Sequence, residues 1–556
     1  MDLSLKRIFP WFLLTGIVVN GTGLLTPILE PDGALYAGIA KRIVLTNDWI
    51  NLYANGQDWL DKPHFPFWIT ALSYTIFGIN SFAYKFPAFL FWLIGIRFTY
   101  LVAKKIYNEN VARISVAIYV IALHGVISNF DVRAEPYLTT LTIGGIYYTY
   151  RLYKKFTWTN LFASAVFAAC AVMTKGIFIL LTVAGGLIVY WIITRQWRQF
   201  RSARWWILGL LILIFITPEL YCLYVQFDLH PEKVVYGCTG VSGLRFFFWD
   251  SQFGRFFNTG PIQGKGDPSF FLHTLLWAFL PWSLLFYYAF IRLLRKKTRV
   301  KNPAQWIVYG SAGLSFLLFS LSRFQLPHYI IIFFPQLSMM VADELASTEK
   351  ARDQNTLLTV QKILVLLAVL AVAVASFYGR LPHGYIASGV ALAVMIITFI
   401  RRKRRFMIDM LLLSYAFAIA VCLFLNLVFY PLILQYEAGM YAAKWLNQNN
   451  YTGNIAMLRN YSYAFEFYSN RPVGRIPSAD ELRTCAGHTP LIIYTPISKI
   501  DSIQNAGFHT DVLQTFDYFH ISKLNIHFLD YKTRQQQLEK MALVALRPYP
   551  EPQSSK

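Results

Sequence analysis

The sequence predicts a polytopic α-helical membrane protein followed by a small α/β domain, and three observations carry that prediction. Hydrophobic residues make up 56% of the chain and charged residues only 14%, where a soluble domain has roughly 25% charged. Apolar runs long enough to cross a bilayer recur between short loops. Basic residues gather in some of those loops and avoid the others. A net charge of +22 could point to nucleic acid, but the lysines and arginines punctuate apolar segments and form no basic face. The expected partner is therefore the lipid bilayer and no nucleic acid.

Allowing about 20 apolar residues per crossing, and fewer where neighbours bury the helix, the chain offers about thirteen spans. They lie near 8–29, 82–103, 111–129, 137–153, 160–173, 176–194, 205–225, 270–293, 306–321, 326–342, 357–378, 386–400 and 407–432. The first follows Lys6-Arg7 like a signal peptide, yet it is too long for an h-region and lacks an Ala-x-Ala site, so it is expected to remain as a span. Loops with Lys104-Lys105, Arg151 and Lys154-Lys155, the arginines at 195, 198, 201 and 204, the Arg292–Lys301 cluster and the basic run 401–405 read as cytoplasmic, with the N-terminus.

The alternate loops, 30–81, 130–136, the turn at 174–176, 226–269, 322–328 and 379–385, then face the periplasm or exterior of a membrane read as a bacterial inner membrane. The unusual polar motifs all fall on this side. Residues 64–80 are apolar and aromatic with an early proline, which predicts an interfacial helix. After Leu432 the composition turns polar, with a helical pattern at 437–447 and β-like runs at 490–494 and 541–546. Two units follow: 1–432 in the membrane, and 433–556 as a soluble α/β domain outside. Of the five cysteines, Cys170, Cys222 and Cys422 read as small core residues, while Cys238 and Cys485 are a candidate pair outside.

Four polar patches are expected to meet at one membrane face, because ionisable groups beside spans are costly unless paired, solvated or used. The first loop supplies Glu30, Asp32, Asp61, Lys62 and His64; the next outer loop Asp131, Arg133 and Glu135. Lys175 comes from Thr174-Lys175-Gly176, and Arg323, His328 and Tyr329 from the 322–329 segment. Acids and bases at an interface suit a reaction between a lipid-linked anion and a polar acceptor. The bland alternatives are a solvated linker for the first loop, an ion pair of Glu135 with Arg133, and a Lys175 that snorkels from its span end.

At these residues the sequence resembles a known family. Asp32-Gly-Ala-Leu-Tyr36-Ala, Asp61-Lys62-Pro63, Thr174-Lys175-Gly176 and Leu326-Pro327-His328-Tyr329 are similar to the Asp-Glu-x-Arg-Tyr-Ala, Glu-Lys-Pro, Thr-Lys-Gly and Leu-Pro-x-Tyr motifs of C-type (GT-C) membrane glycosyltransferases. Within these the protein-mannosyltransferase-like group and the aminoarabinose transferases that modify lipid A are the nearest. The resemblance spans residues 1 to about 345.

It implies an inverting transfer of a sugar from a polyprenyl-phosphate donor to a lipid, glycan or protein acceptor, on the extracytoplasmic face. Asp32 would be the general base and Glu135 the second acid, with Lys62 and Tyr329 on the departing phosphate. Arg133 is added to that phosphate clamp because its fork matches phosphate geometry, and Lys175, Asp61, His328, Arg323 and Tyr36 complete the candidate set.

The sequence also departs from the pattern. Leu35 stands where the family has arginine, and Asp61 where it has glutamate. In some members that acid helps bind a divalent metal, for which Asp61 with His230 or His328 is the candidate here. The competing class is a transporter or flippase of a lipid-linked sugar. It would place ionisable groups at midplane in related halves, and Arg97 is the mid-span candidate. A third class, a scaffold acting through 433–556, would make Asp32 dispensable. The 234–259 stretch, with Arg245, Arg255 and several phenylalanines, reads as a lipid-headgroup site or a bilayer contact.

Overall fold

Helices occupy each of the predicted apolar stretches in the computed structural model, which describes residues 3–295, 300–400, 405–451, 453–458, 461–478, 481–482 and 491–548. Cys485, the basic run 401–404 and part of the 292–301 cluster lie outside those residues. Among the described residues, five helices are long and apolar enough to cross a membrane by themselves, or up to seven if two bent pairs each count as one span.

One bent pair, Glu109–Tyr119 with Leu123–Phe130, turns by 55°, and the other, Ala203–Phe215 with Thr217–Asp228, by 40°. The second bend coincides with Thr217-Pro218, since proline cannot donate to the preceding turn. Predicted span 270–293 is likewise two helices, Phe270–Ala278 and Ser283–Leu294, and 326–342 opens as a 3-10 turn before the helix Phe334–Ser347.

Close approach and buried hydrogen bonds hold the helices together, as expected where lipid removes the hydrophobic drive between them. A Cβ on Gly186 would strike the backbone carbonyl of Ile307, so the helices Ile179–Ile193 and Gln305–Leu321 meet backbone to backbone. Asn20 donates to the carbonyl of Val120 at 2.8 Å and accepts from Asn129 at 2.7 Å, fixing the first helix to the bent pair 109–130.

Arg97 lies exposed on the outer face of its helix, so it is not a buried midplane charge. Lys85 and Glu219 are the fully buried charges within predicted spans. Lys85 donates to the carbonyls of Gly23, Thr26 and Pro27 and to the Thr26 hydroxyl at 2.8–3.1 Å. It thereby pins the turn that leads to Glu30.

The predicted interfacial helix is Phe65–Phe77. Beyond the helix Ala438–Gln448 a five-stranded sheet follows, in the order 473–476, 454–458, 491–496, 539–548, 508–518. Its first three strands pair in parallel and the last two pairings are antiparallel. Strands 491–496 and 539–548 are where β-like runs were expected. The other three were not expected, and Phe508–Tyr518 carries alternating polar residues because one face stays exposed.

Candidate active site

Asp32 opens the helix Asp32–Thr46, where a carboxylate meets the positive end of the helix dipole. Its Oδ2 pairs with the Arg133 guanidinium at 2.7 Å, and the side chain is 37% exposed. Arg133 also bonds Asp131 at 3.0 and 3.2 Å, and it donates through Nη1 to His328 Nδ1 at 3.1 Å. A guanidinium can only donate, so His328 Nδ1 must be the acceptor and its proton sits on Nε2. That Nε2 lies 3.8 Å from Glu135.

Glu135, the buried first residue of the helix Glu135–Lys154, pairs with Lys175 at 2.7 Å. The alternative of a Glu135–Arg133 ion pair is not what forms, because Arg133 is taken by Asp32 and Asp131. Lys175 does not snorkel. Its ammonium is buried 3.2 Å above the centroid of the Tyr329 ring. The Thr-Lys-Gly motif has a backbone reason: Gly176 ends the helix Trp158–Lys175 at φ +93°, and a Cβ there would strike the Gln252 side chain. Gln252 in turn donates to the Lys175 carbonyl at 3.2 Å.

Lys62 pairs with Asp61 at 3.0 Å, and Arg255 bonds the other oxygen of Asp61. Burial pushes the Asp61 carboxyl up, but Lys62 and Arg255 outweigh it and hold the group down at about 2. Burial pushes the Lys62 ammonium down, and Asp61 partly restores it. The next residue but one, His64, anchors this turn: Glu219 accepts from its backbone N–H and faces Nδ1, both at 3.0 Å, while Nε2 points at the Ile50 carbonyl at 2.9 Å. Both ring nitrogens of His64 are thus engaged, one by the Glu219 carboxylate and the other by the Ile50 carbonyl.

Lys62, Lys175, Arg255 and Tyr329 line one cavity, with Asp61, Glu219 and Gln252. The rest of its wall is apolar, with Phe178, Phe246, Phe247 and Phe319 among the rings. A second cavity lies past the ion pairs, lined by His124, Asp131, Arg133 and His328. Tyr36 connects the groups: burial raises its hydroxyl strongly, and the charges of Asp61, Asp32 and Glu135 raise it further.

The structure therefore gathers Asp32, Asp61, Lys62, Arg133, Glu135, Lys175, His328, Tyr329 and Tyr36. It leaves three named residues out. Arg323 is exposed, and only its backbone joins the fold, bonding Phe256 at 3.2 Å. His230 is half exposed and pairs with Glu232. Glu30 turns away from Asp32 toward the C-terminal sheet, accepting from Ser462 at 2.9 Å and from the Ala464 N–H at 2.5 Å.

The residues do not fit a divalent metal. Asp61 carries two cations, His328 is bonded to Arg133, and no three His, Cys, Asp or Glu residues gather at one point among the described residues. Sequence reasoning missed Glu219 and read Arg255 only as part of a stretch that holds a lipid headgroup or rests on the bilayer. An acid inside the apolar run 205–225 was the available signal for the first; the contact of the second with Asp61 has no local signal.

Comparison with known proteins agrees with this architecture. Residues 61–222 match the family described as dolichyl-phosphate-mannose-protein mannosyltransferase. A curated relative, the undecaprenyl phosphate-α-4-amino-4-deoxy-L-arabinose arabinosyl transferase of Pseudomonas paraeruginosa, is 26% identical over 383 residues, 65% of either chain. An uncharacterised protein of Aquifex aeolicus is 26% identical over 353 residues, 62% of this chain and 64% of that one.

The chain thus spans just under two thirds of the length of these curated relatives. The crystal structure of ArnT from Cupriavidus metallidurans bound to undecaprenyl phosphate superposes with a TM-score of 0.73, covering 98% of each chain at 16% identity, a likeness of fold. This chain is thus similar to a mannosyltransferase family over residues 61–222, to an arabinosyl transferase over just under two thirds of its length, and to ArnT in fold.

Proposed function

We propose that the protein is an inverting glycosyltransferase that takes a sugar from a polyprenyl-phosphate donor. The observation that carries this is the apolar-walled cavity bearing Lys62, Lys175 and Arg255, joined through Glu135, His328 and Arg133 to the carboxylate of Asp32. Cations on a greasy wall suit a phosphate attached to a lipid tail. The relatives' names supply the donor class to test, an undecaprenyl-phosphate sugar.

In the reaction an acceptor oxygen attacks the anomeric carbon while the bond from that carbon to the phosphate oxygen breaks. The bonding pair leaves on the phosphate, where preorganised positive charge acts in a water-poor site. Lys62 and Arg255 supply that charge, and Tyr329 with Lys175 closes the wall. Arg133, already shared among Asp32, Asp131 and His328, is better read as the group that orients Asp32. The acceptor's proton goes to Asp32, whose side chain is 37% exposed beside Arg133. Inversion follows from a single displacement. The purified protein in detergent, given undecaprenyl-phosphate aminoarabinose and lipid A, should release undecaprenyl phosphate in step with transfer. No release from that donor or from a panel of polyprenyl-phosphate hexoses and pentoses would overturn the reading.

The finer topology belongs to the same proposal: about thirteen crossings of a bacterial inner membrane, with some short helices held by neighbours, the N-terminus cytoplasmic, and 433–556 outside as a separate α/β domain. A phosphatase reporter fused after Leu432 should be active, and a silent one would reverse the orientation. The buried charges give a transporter no support, since Lys85 is spent on carbonyls and Glu219 on His64.

A further inference from the structure

The short helix Tyr463–Tyr468 of the C-terminal unit is gripped at both ends by the segment that carries Asp32. At its start, Glu30 accepts from the Ser462 hydroxyl at 2.9 Å and the Ala464 N–H at 2.5 Å. At its end, the Lys41 ammonium donates to the carbonyls of Glu466, Phe467 and Ser469 at 2.9, 2.9 and 2.6 Å. An anion at the first turn and a cation at the last both match the helix dipole. Further bonds surround the grip: the Tyr468 hydroxyl accepts from the Ile28 N–H at 2.9 Å and meets the Ser81 hydroxyl at 2.8 Å. The Glu30 N–H donates to Glu437 at 3.1 Å. Burial raises both carboxyls, and the Glu30 charge beside it raises that of Glu437 further.

Glu30 and Lys41 bracket Asp32. One precedes it across Pro31, and the other lies on the same helix, about 13 Å along its axis. Seizing one short rod at its two ends fixes both the height and the rotation of the Asp32 helix, which apolar contact alone would leave free to slide. We propose that the C-terminal helix positions the Asp32 carboxylate for proton transfer, with Glu30 and Lys41 as positioning residues. This rests on the reading of Asp32 as the base.

The test uses the full chain in detergent and donor turnover. Lys41→Met should lower kcat by about 10- to 100-fold, the scale of a misplacement of roughly 1 Å, while the donor KM stays within about threefold. Lys41→Arg, which keeps the donors, should recover most of the loss. In an Asp32→Asn background Lys41→Met should cost almost nothing more, because a residue acting through Asp32 cannot add to its removal. If Lys41→Met fails to fold, Ser462→Ala, which strips one bond from Glu30, replaces it with the same expected pattern at smaller size. Full kcat in a folded Lys41→Met protein, a loss confined to KM, or additive losses in the double variant would each overturn the proposal. An inactive wild-type protein would instead overturn the glycosyltransferase reading itself.

Discussion

Asp32→Asn should lower sugar transfer by about 10²- to 10⁴-fold, the usual contribution of a general base, with the protein still folded and its donor still bound. Asparagine keeps the shape of the side chain, and its Oδ1 can still accept from Arg133, so the pair seen at 2.7 Å survives as a hydrogen bond from the guanidinium to a neutral amide. Arg133 retains Asp131 and His328, so no buried charge is stranded. What disappears is the capacity to take a proton from the acceptor. The donor phosphate is expected at Lys62 and Arg255, away from position 32, so the donor KM should barely move. The measurement is release of polyprenyl phosphate under saturating donor, and unchanged turnover would remove Asp32 from the mechanism.

Lys62→Met should reduce kcat/KM by about 10²- to 10³-fold, the scale of losing one preorganised donor to a developing anion. Methionine fills similar space on the cavity wall and Asp61 keeps Arg255, so the fold should persist. A second effect follows from charge. The Asp61 carboxyl sits at about 2 in the folded protein, below the roughly 3.9 of an unfolded chain. Its ionisation therefore contributes stability that is full above about pH 4 and is lost as pH falls toward 2. Removing Lys62 raises the folded value toward the unfolded one, so the acid unfolding transition should move to higher pH. A variant with wild-type kcat/KM would place the phosphate elsewhere, and an unmoved acid transition would mean Arg255 alone holds Asp61.

The parts of the site legible in the sequence were those where polar chemistry interrupts an apolar chain. Asp32, Lys62, Lys175 and Tyr329 stand out because each sits beside a proline, a glycine or a helix start at a span edge. Their partners were less legible. An ion pair of Glu135 with Arg133, two residues away, was the bland alternative, and Glu135 instead meets Lys175 from another helix. Arg255 reaches Asp61 across 194 positions of sequence, a distance that local patterning does not encode. The grip on helix Tyr463–Tyr468 was hidden for the same reason, and Glu30, counted with Asp32 in one polar patch, turns to that helix instead. Among spans, position was readable and continuity was not. Hydropathy locates an apolar run but is blind to a 55° bend between Tyr119 and Leu123.

The pairing of Asp61 with both Lys62 and Arg255 also bears on how the product departs. Each cation on that wall already owns a resident counter-ion, so an arriving phosphate competes with a carboxylate that is tethered and always present. On the proposed mechanism the same carboxylate would reclaim its partners once the sugar had gone, an internal rival that would keep spent lipid phosphate from poisoning the cavity.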